Sequence, residues 1–203
     1  MTEERSATSR MSGADRREQL LDVALELFSR HGFDGTTVRD IAGAANVTDG
    51  LIYRYFASKE ELLEQVIDRA RRVLHGLRLE DAIERPVGPA LYGLLCDLTR
   101  FLHGNMALVD VCWYEACRGG PTGRQMQALR DEVVEPVAAL LTTWTARGEL
   151  RVHDPVRAGR VVTGLAFSFA FANRCLTPTE WEAELATFMA QAAEIFLDGL
   201  RAC

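Results

Sequence analysis

The stretch TTVRDIAGAANVTDGLIYRYFASK, residues 36–59, decides the fold of this chain. Thr37 is placed to cap a short helix, and Asp40, three residues later, completes a capping box. The inward face of this helix repeats apolar residues at helical spacing, namely Val38, Ile41, Ala42 and Ala45. The first part of the stretch therefore predicts a short amphipathic helix.

A sharp turn is expected at Asn46, because Asn tolerates the left-handed conformation better than most residues do. Val47 fills the joint, and Thr48 can cap a second helix with Ile52 and Phe56 facing inward. Two short helices joined in this way form a helix-turn-helix, whose second helix enters the major groove of DNA. The stretch thus predicts a DNA-binding element.

The residues around this element carry a resemblance to a known family. The helical pattern of residues 17–31, the turn HGFDGTT and the run GLIYRYFASKEEL surround the helix-turn-helix. Together they resemble the amino-terminal domain of the TetR family of transcriptional regulators over about the first 65 residues. The remainder is similar to the family only in length and helical layout. Asn46 replaces the family's common Gly, and Asp49 places an acid at the start of the reading helix.

The resemblance implies a homodimer that reads a DNA operator, usually a repressor released by a small molecule. The positions that match the family's base-reading residues are Arg39, Asp49, Gly50, Leu51 and Arg54. The positions that match its phosphate-contacting residues are Thr37, Thr48, Tyr53, Tyr55 and Lys59. The side chains agree, since Arg can bind guanine, Leu a thymine methyl and Asp the cytosine amino group. Packing roles for the two tyrosines and a helix-dipole role for Asp49 stay open.

The charge distribution indicates that any DNA binding depends on specific contacts from a few side chains. The formal net charge is −6, and residues 1–65 contain eight basic against twelve acidic side chains. Bulk attraction to phosphate needs a basic surface. We therefore expect weak nonspecific DNA affinity and a modest dependence on salt.

The remaining composition is that of an ordinary globular protein, 48% hydrophobic and 26% charged. The five cysteines are odd in number and form no disulfide framework, which favours a reducing cytoplasm. The N-terminus lacks the apolar segment of a signal peptide. No apolar run reaches the length that spans a membrane.

The expected architecture is all-α with about nine helices in two regions. Residues 1–14 are expected to be a disordered arm, residues 15–57 a three-helix DNA-binding domain, and residues 58–203 a helical ligand-binding and dimerisation domain. A long helix is expected over residues 58–78, a linker over 84–89 followed by a helix near Ala90, a helix break at Gly104, and a flexible loop over 118–123. Pro136 is expected to kink or restart the next helix.

A small-molecule pocket is expected from the segment FLHGNMALVDVCWYEAC, residues 101–117, which combines large apolar faces with a few polar groups. Plain core or surface roles remain the alternative for each residue singly. The candidate ligand-binding residues are Phe101, His103, Asn105, Met106, Trp113, Tyr114, Glu115, Trp144, Phe167 and Phe171.

The last two helices are expected to form the dimer interface. The run VVTGLAFSFAFA, residues 161–172, is apolar on nearly all sides, so its extra face suits another subunit. Two helices from each protomer would pack as a four-helix interface. The candidate interface residues are Val161, Gly164, Leu165, Phe169, Trp181, Leu185, Phe188, Met189 and Phe196.

Enzymatic activity is not expected, because the sequence contains no hydrolase, metalloprotease or dinucleotide fingerprint. No cofactor or metal is expected. A thiol- or metal-sensing regulator that uses Cys96, Cys112, Cys117 and His103 remains an alternative, as does a protein-interaction module.

Overall fold

The computed structural model describes residues 12–74, 82–118 and 120–200. These residues form nine α-helices and no strand, as the sequence predicts. The helices are α1 Gly13–His31, α2 Val38–Ala44, α3 Asp49–Tyr55, α4 Lys59–Leu74, α5 Val87–Gly104, α6 Met106–Arg118, α7 Gly120–Ala146, α8 Pro155–Ala172 and α9 Pro178–Leu200. Within the described residues, no helix has both the length and the apolar character that a membrane crossing requires.

The chain divides into two compact units, the first ending at Arg69 and the second beginning at Ala70. The division falls inside α4, so one helix belongs in part to each unit. The sequence placed a boundary between residues 57 and 58, at the end of the helix-turn-helix. The first compact unit also takes in most of α4.

The first unit is built around one apolar core shared by α1 to α4. Its most buried large side chains come from all four helices and are Leu20, Leu21, Phe28, Ile41, Ile52, Phe56 and Leu62. Salt-bridged and hydrogen-bonded pairs join α1 to α4 on the outside, Arg17 to Gln65 and Arg69 to Asp22. The helix-turn-helix is therefore held on a packed base.

The turn between α1 and α2 is fixed by polar groups. The buried Thr36 hydroxyl donates to the carbonyl of Gly32 at 2.9 Å. A Cβ on Gly35 would lie 2.3 Å from the carbonyl oxygen of His31, so this position accepts only glycine. The turn sets where α2 begins.

The second unit has its core between α5, α7, α8 and α9. Its buried residues include Leu95, Leu141, Trp144, Val162 and Leu185. Helix α5 packs against α8 and α9, and α7 packs against α6 and α8. Each helix buries one stripe, and the opposite stripe remains exposed.

Several sequence-predicted boundaries are wrong. Arg118 ends α6 and the backbone is helical from Gly120, so residues 120–123 of the expected loop are instead the first turn of α7. Helix α7 continues through Pro136 and does not restart there. Proline is compatible with a first helical turn, which explains Pro121. Helix α5 begins at Val87, three residues before Ala90.

The expected arm also ends earlier than predicted, because the side chain of Ser12 caps α1 and helix begins at Gly13. Residues 1–11, and the expected end of the α4 helix at residue 78, lie outside the described residues.

Candidate DNA-binding surface and ligand cavity

Helix α2 starts with the capping box that the sequence predicts. The Thr37 hydroxyl accepts from the backbone N–H of Asp40 at 3.1 Å and donates to its carboxylate at 2.6 Å. The hydrogen bonds from the side chain and the backbone of Thr37 hold the pKa of the Asp40 carboxyl below its ordinary value. The Thr37 hydroxyl is thus engaged in capping, while Arg39 next to it is exposed.

The turn between α2 and α3 is a Schellman motif with Asn46 at the left-handed position. Asn46 has a φ of 55°, and within the described residues it is the one non-glycine with positive φ. The N–H of Val47 donates to the carbonyl of Ala42 at 2.9 Å, and that of Asn46 to Gly43 at 3.1 Å. These two bonds satisfy carbonyls at the end of α2. The turn therefore fixes the direction in which α3 leaves.

Helix α3 presents its first turn to solvent. Thr48, Asp49 and Gly50 are exposed, as are Tyr53 and Arg54 farther along, while Ile52 is buried. Thr48 occupies the cap position, but its side chain forms no capping hydrogen bond, contrary to expectation. Its hydroxyl is therefore left available to another partner.

Gly50 does not have the left-handed conformation that would require glycine. A Cβ at this position would meet nothing within 4 Å, so another molecule can come close to the backbone of α3 there. Leu51 beside it is half-buried. A small residue at this place widens access to the start of the helix.

Two of the predicted phosphate contacts have structural roles inside the unit. The ammonium of Lys59 donates to the carbonyls of Phe33 and Thr36, each at 2.9 Å, and lies 4.2 Å from the centroid of the Phe33 ring. Tyr55 is half-buried, and its hydroxyl would lie 3.8 Å from a Cβ on Gly13. Lys59 thus ties the α1–α2 turn to the start of α4.

The second unit contains a cavity of about 440 Å³, within the range of small-molecule sites. Five helices, α4 to α8, contribute to its wall. Four of the predicted ligand-binding residues line it: Phe101, Asn105, Trp113 and Phe167. The segment 101–117 thus contributes to the cavity wall, and ligand binding by these residues stays a prediction.

The other six predicted ligand-binding residues lie elsewhere. Trp144 is fully buried in the core of the second unit, so the idea that it faces the pocket is wrong. His103 stacks on Trp181, with ring centroids 4.2 Å apart. Glu115 is buried, Tyr114 is exposed and Met106 is half-buried, and none of the three is among the cavity lining. Phe171 is exposed and stacks on Phe167, with ring centroids 5.8 Å apart.

Sequence reasoning missed the contributions of α4 and α7. Ala70, Val73 and Leu74 line the cavity from α4, and Leu129, Arg130, Val133 and Val134 line it from α7. Arg160 of α8 completes a basic rim with Arg130. Helical spacing alone could have indicated the apolar residues as inward-facing, but it carries no signal that distinguishes a cavity wall from core.

Four of the predicted dimer-interface residues are buried within their own protomer: Phe169, Trp181, Leu185 and Met189. They pack in the core and are not available to a partner subunit. Phe196 and Leu165 are half-buried, and Gly164 is exposed and lines the cavity. Val161 and Phe188 are exposed, together with Ile195, which the sequence did not single out as an interface residue.

The described cysteines are free thiols in different environments. Cys96 is buried and Cys117 exposed, and burial raises the pKa of the Cys112 thiol to about 12. Among the residues for which the structure gives coordinates, no three His, Cys, Asp or Glu side chains converge as metal ligands. These features do not favour the thiol- or metal-sensing alternative.

The fold and the exposed helix-turn-helix define the class as that of a helical DNA-binding regulator. The family model for bacterial regulatory proteins of the tetR family matches residues 20–66, and the model for the C-terminal domain of AefR-like transcriptional repressors matches residues 104–199. The chain belongs to the TetR family of bacterial regulatory proteins.

Named relatives agree with this assignment. The HTH-type transcriptional repressor KstR2 of Rhodococcus jostii is 47% identical over 60 residues, which are 30% of this chain and 28% of that protein. The chain therefore matches less than a third of the length of this relative.

Two solved structures share the whole fold. The ketosteroid transcriptional regulator KstR2 of Mycobacterium tuberculosis has a TM-score of 0.71 at 23% identity, covering 96% of this chain and 100% of that one. FadR from Bacillus subtilis in complex with stearoyl-CoA has a TM-score of 0.70 at 20% identity, covering 90% and 98%. At these identities the likeness shows the fold alone.

Proposed function

We propose that this protein is a transcriptional repressor that binds a palindromic DNA operator in the cytoplasm as a homodimer and is released by a small molecule. The observation that carries the proposal is the exposed face of α2 and α3. There the side chains of Arg39, Thr48, Asp49, Tyr53 and Arg54 form no hydrogen bond or ion pair within the described part of the chain. The names of the similar repressors support the same function.

The base-reading roles belong to the first turn of α3 and to the α2 side chain beside it. Arg39 and Arg54 can each bind guanine O6 and N7, and Asp49 can accept from a cytosine amino group. Leu51 offers an apolar contact to a thymine methyl. Gly50 has open space above its backbone, so bases can approach the helix closely.

The main phosphate-contacting roles belong to Thr48 and Tyr53, whose hydroxyls are exposed. Thr37, Tyr55 and Lys59 take a secondary part in phosphate binding. Lys59 uses two of its three ammonium protons internally, so one remains for a phosphate oxygen. Thr37 and Tyr55 contribute by position. Because these contacts are few and the unit is acidic overall, they position the protein more than they attract DNA.

The homodimer would form through the exposed apolar residues of α8 and α9. A twofold dimer holds two recognition helices at a separation of about 34 Å or a multiple of it, which matches successive major grooves. The operator would then be palindromic, since its symmetry mirrors that of the protein.

Release would act through α4. This helix begins in the DNA-binding unit and contributes Ala70, Val73 and Leu74 to the cavity wall. A ligand that binds more tightly when these three residues take a different position shifts α4. That shift changes the spacing of the two recognition helices. By linkage, operator and ligand weaken each other by the same factor, typically about 5- to 150-fold.

The test is selection of duplexes from a random DNA pool with the full-length protein. We expect a palindrome to be enriched, Arg39→Ala to lose base preference, and Tyr53→Phe to lose affinity evenly across sequences. Arg157→Ala is the control, because it removes the same charge from an exposed position of α8. Failure to enrich any sequence at low salt would contradict the repressor function and favour a protein-interaction module.

A further inference from the structure

The cavity of the second unit combines an apolar body with a basic rim. Most of its lining consists of Leu, Val, Phe, Ala and Trp side chains. Arg130 of α7 and Arg160 of α8 are the charged members, and the described lining includes no aspartate or glutamate. The electrostatic potential at the rim therefore favours an anion.

One carboxylate is shared between the two guanidinium groups. Asp131 Oδ1 lies 3.4 Å from Nη2 of Arg160 and 3.7 Å from Nη2 of Arg130. The next acid on α7, Glu132, pairs with Arg71 instead. Two cations thus share one anion, which leaves a positive charge at the rim.

These ion pairs do not lock the arginines in place. The three side chains retain 62%, 54% and 52% exposure for Arg130, Arg160 and Asp131. Exposed ion pairs of this kind contribute little free energy because water screens them. Either guanidinium can therefore turn toward an anionic group on a bound molecule.

The interior of the cavity offers few hydrogen bonds. The Asn105 amide donates to the carbonyl of Phe101 at 2.8 Å, and the Thr163 hydroxyl donates to that of Gly159 at 3.0 Å. Both donors are thus engaged with backbone carbonyls, Asn105 at the end of α5 and Thr163 within α8. A polar body such as a sugar or a nucleobase would leave its groups unsatisfied there, whereas an apolar body loses nothing.

We propose that the ligand is an amphipathic anion whose apolar body fills the cavity and whose carboxylate or phosphate binds Arg130 and Arg160. This inference rests on the proposed function and names the class of its effector. The arginine fork matches both anions, since two parallel N–H groups bind two oxygens. Asp131 competes with the ligand for the same guanidinium groups.

Binding can be measured without DNA through the fluorescence of Trp113, which lines the cavity at 52% exposure, whereas Trp144 and Trp181 are buried. The probes are dodecanoate, dodecan-1-ol and dodecanoyl-CoA, which share an apolar chain and differ in the head group. The variants are Arg130→Gln, Arg160→Gln and Asp131→Asn. Arg157→Gln is the matched control, one turn before Arg160 and paired with Asp154.

We expect dodecanoate to bind about tenfold more tightly than dodecan-1-ol, because charge-assisted hydrogen bonds are roughly twice as strong as neutral ones. Each arginine variant should lose most of that difference without changing alcohol binding, and Asp131→Asn should strengthen binding of the acid. Tighter binding of dodecanoyl-CoA with the same arginine dependence would show that the two arginines also accept a phosphate-bearing head group.

Equal affinity for acid and alcohol, or equal effects of Arg160→Gln and Arg157→Gln, would overturn the inference. So would binding of none of the three probes. Since no DNA is present, these failures leave the operator selection unaffected. Binding of the alcohol alone would keep the cavity as an apolar site while removing its anion preference.

Discussion

Asn46 determines the backbone geometry of the turn in the helix-turn-helix, since its φ of 55° allows the two hydrogen bonds of the Schellman motif to form. Left-handed backbone costs an ordinary residue about 1–2 kcal/mol, so Asn46→Ala should lower the free energy of unfolding by about 1 kcal/mol. Asn46→Gly should leave it unchanged or raise it slightly, because glycine adopts this conformation freely. Urea unfolding followed by circular dichroism measures both effects.

The control for this pair of variants is Ala44→Gly, two residues earlier at the last residue of α2. Glycine should destabilise that helical position by up to about 1 kcal/mol relative to alanine. Opposite signs for the two glycine substitutions would support the assigned turn. A destabilised Asn46→Gly variant would contradict it.

Cys112 shows how burial controls thiol chemistry in this protein. Its pKa is raised to about 12 from an ordinary value of 9.0. At neutral pH the reactive thiolate is therefore scarce, and iodoacetamide should modify Cys112 far more slowly than the exposed Cys117. Mass spectrometry of the native protein checks this, and equal rates at the two sites would contradict it.

The same pKa shift gives a sign for the dependence of stability on pH. Above about pH 9 the unfolded thiol releases its proton while the folded one keeps it, so unfolding becomes more favourable until about pH 12. Stability should fall across this window, and Cys112→Ala should make the fall shallower. Thermal unfolding at several pH values measures both.

At the scale of single elements, α8 and α9 each leave an apolar stripe uncovered. Val161 is 53% exposed, Phe188 40% and Ile195 68%. A charge in this stripe would be desolvated in a dimer but not in a monomer. We therefore expect Ile195→Arg to convert the proposed homodimer to a folded monomer, as measured by light scattering at micromolar concentration.

Val152→Arg is the matched control, because Val152 is 90% exposed and lies before α8. It should leave the dimer intact. If the Ile195→Arg variant dimerises with unchanged affinity, the interface lies on another surface.

At the scale of the whole molecule, an ion pair joins α4 to α7, and both helices contribute to the cavity wall. Arg71 Nε lies 3.1 Å and 3.2 Å from the two carboxylate oxygens of Glu132 on α7. If this ion pair transmits the effect of ligand binding in the cavity to α4, Glu132→Gln should reduce the factor by which dodecanoate weakens operator binding. Titrating the selected operator with and without dodecanoate measures that factor.

Glu135→Gln is the control for this prediction, since it removes an exposed acid from the same helix without breaking the pair. It should leave the coupling factor unchanged. An unaltered factor in the Glu132 variant would show that the pair is structural only.

The helix-turn-helix could be predicted from sequence because its determinants are local. The cap at Thr37, the turn at Asn46 and the buried Ile52 lie within one stretch of sixteen residues. The cavity could not be predicted in the same way, since its wall combines residues from five helices spread over residues 70–167. Helical spacing marks Trp144 and Phe101 alike as inward-facing, and only packing shows that one is core and the other lines a cavity.

The dimer prediction had the same difficulty. In a helix that is apolar on nearly all sides, spacing does not tell which stripe meets its own core. The structure turns Phe169 inward and Val161 outward. Which helices form the interface stays a prediction, and the structure removes from it the residues that are buried in their own protomer.

The sharing of α4 between the two units has a consequence for engineering. A sensor protein made by grafting another regulator's DNA-binding head onto this chain keeps both its cavity wall and an undivided head core if the junction lies at the division between Arg69 and Ala70. A junction after residue 57 would keep Ala70, Val73 and Leu74 but would leave this chain's Leu62 to pack in a foreign core, whereas a junction after Leu74 would replace the three wall residues. The natural place to exchange heads is therefore in the middle of a helix.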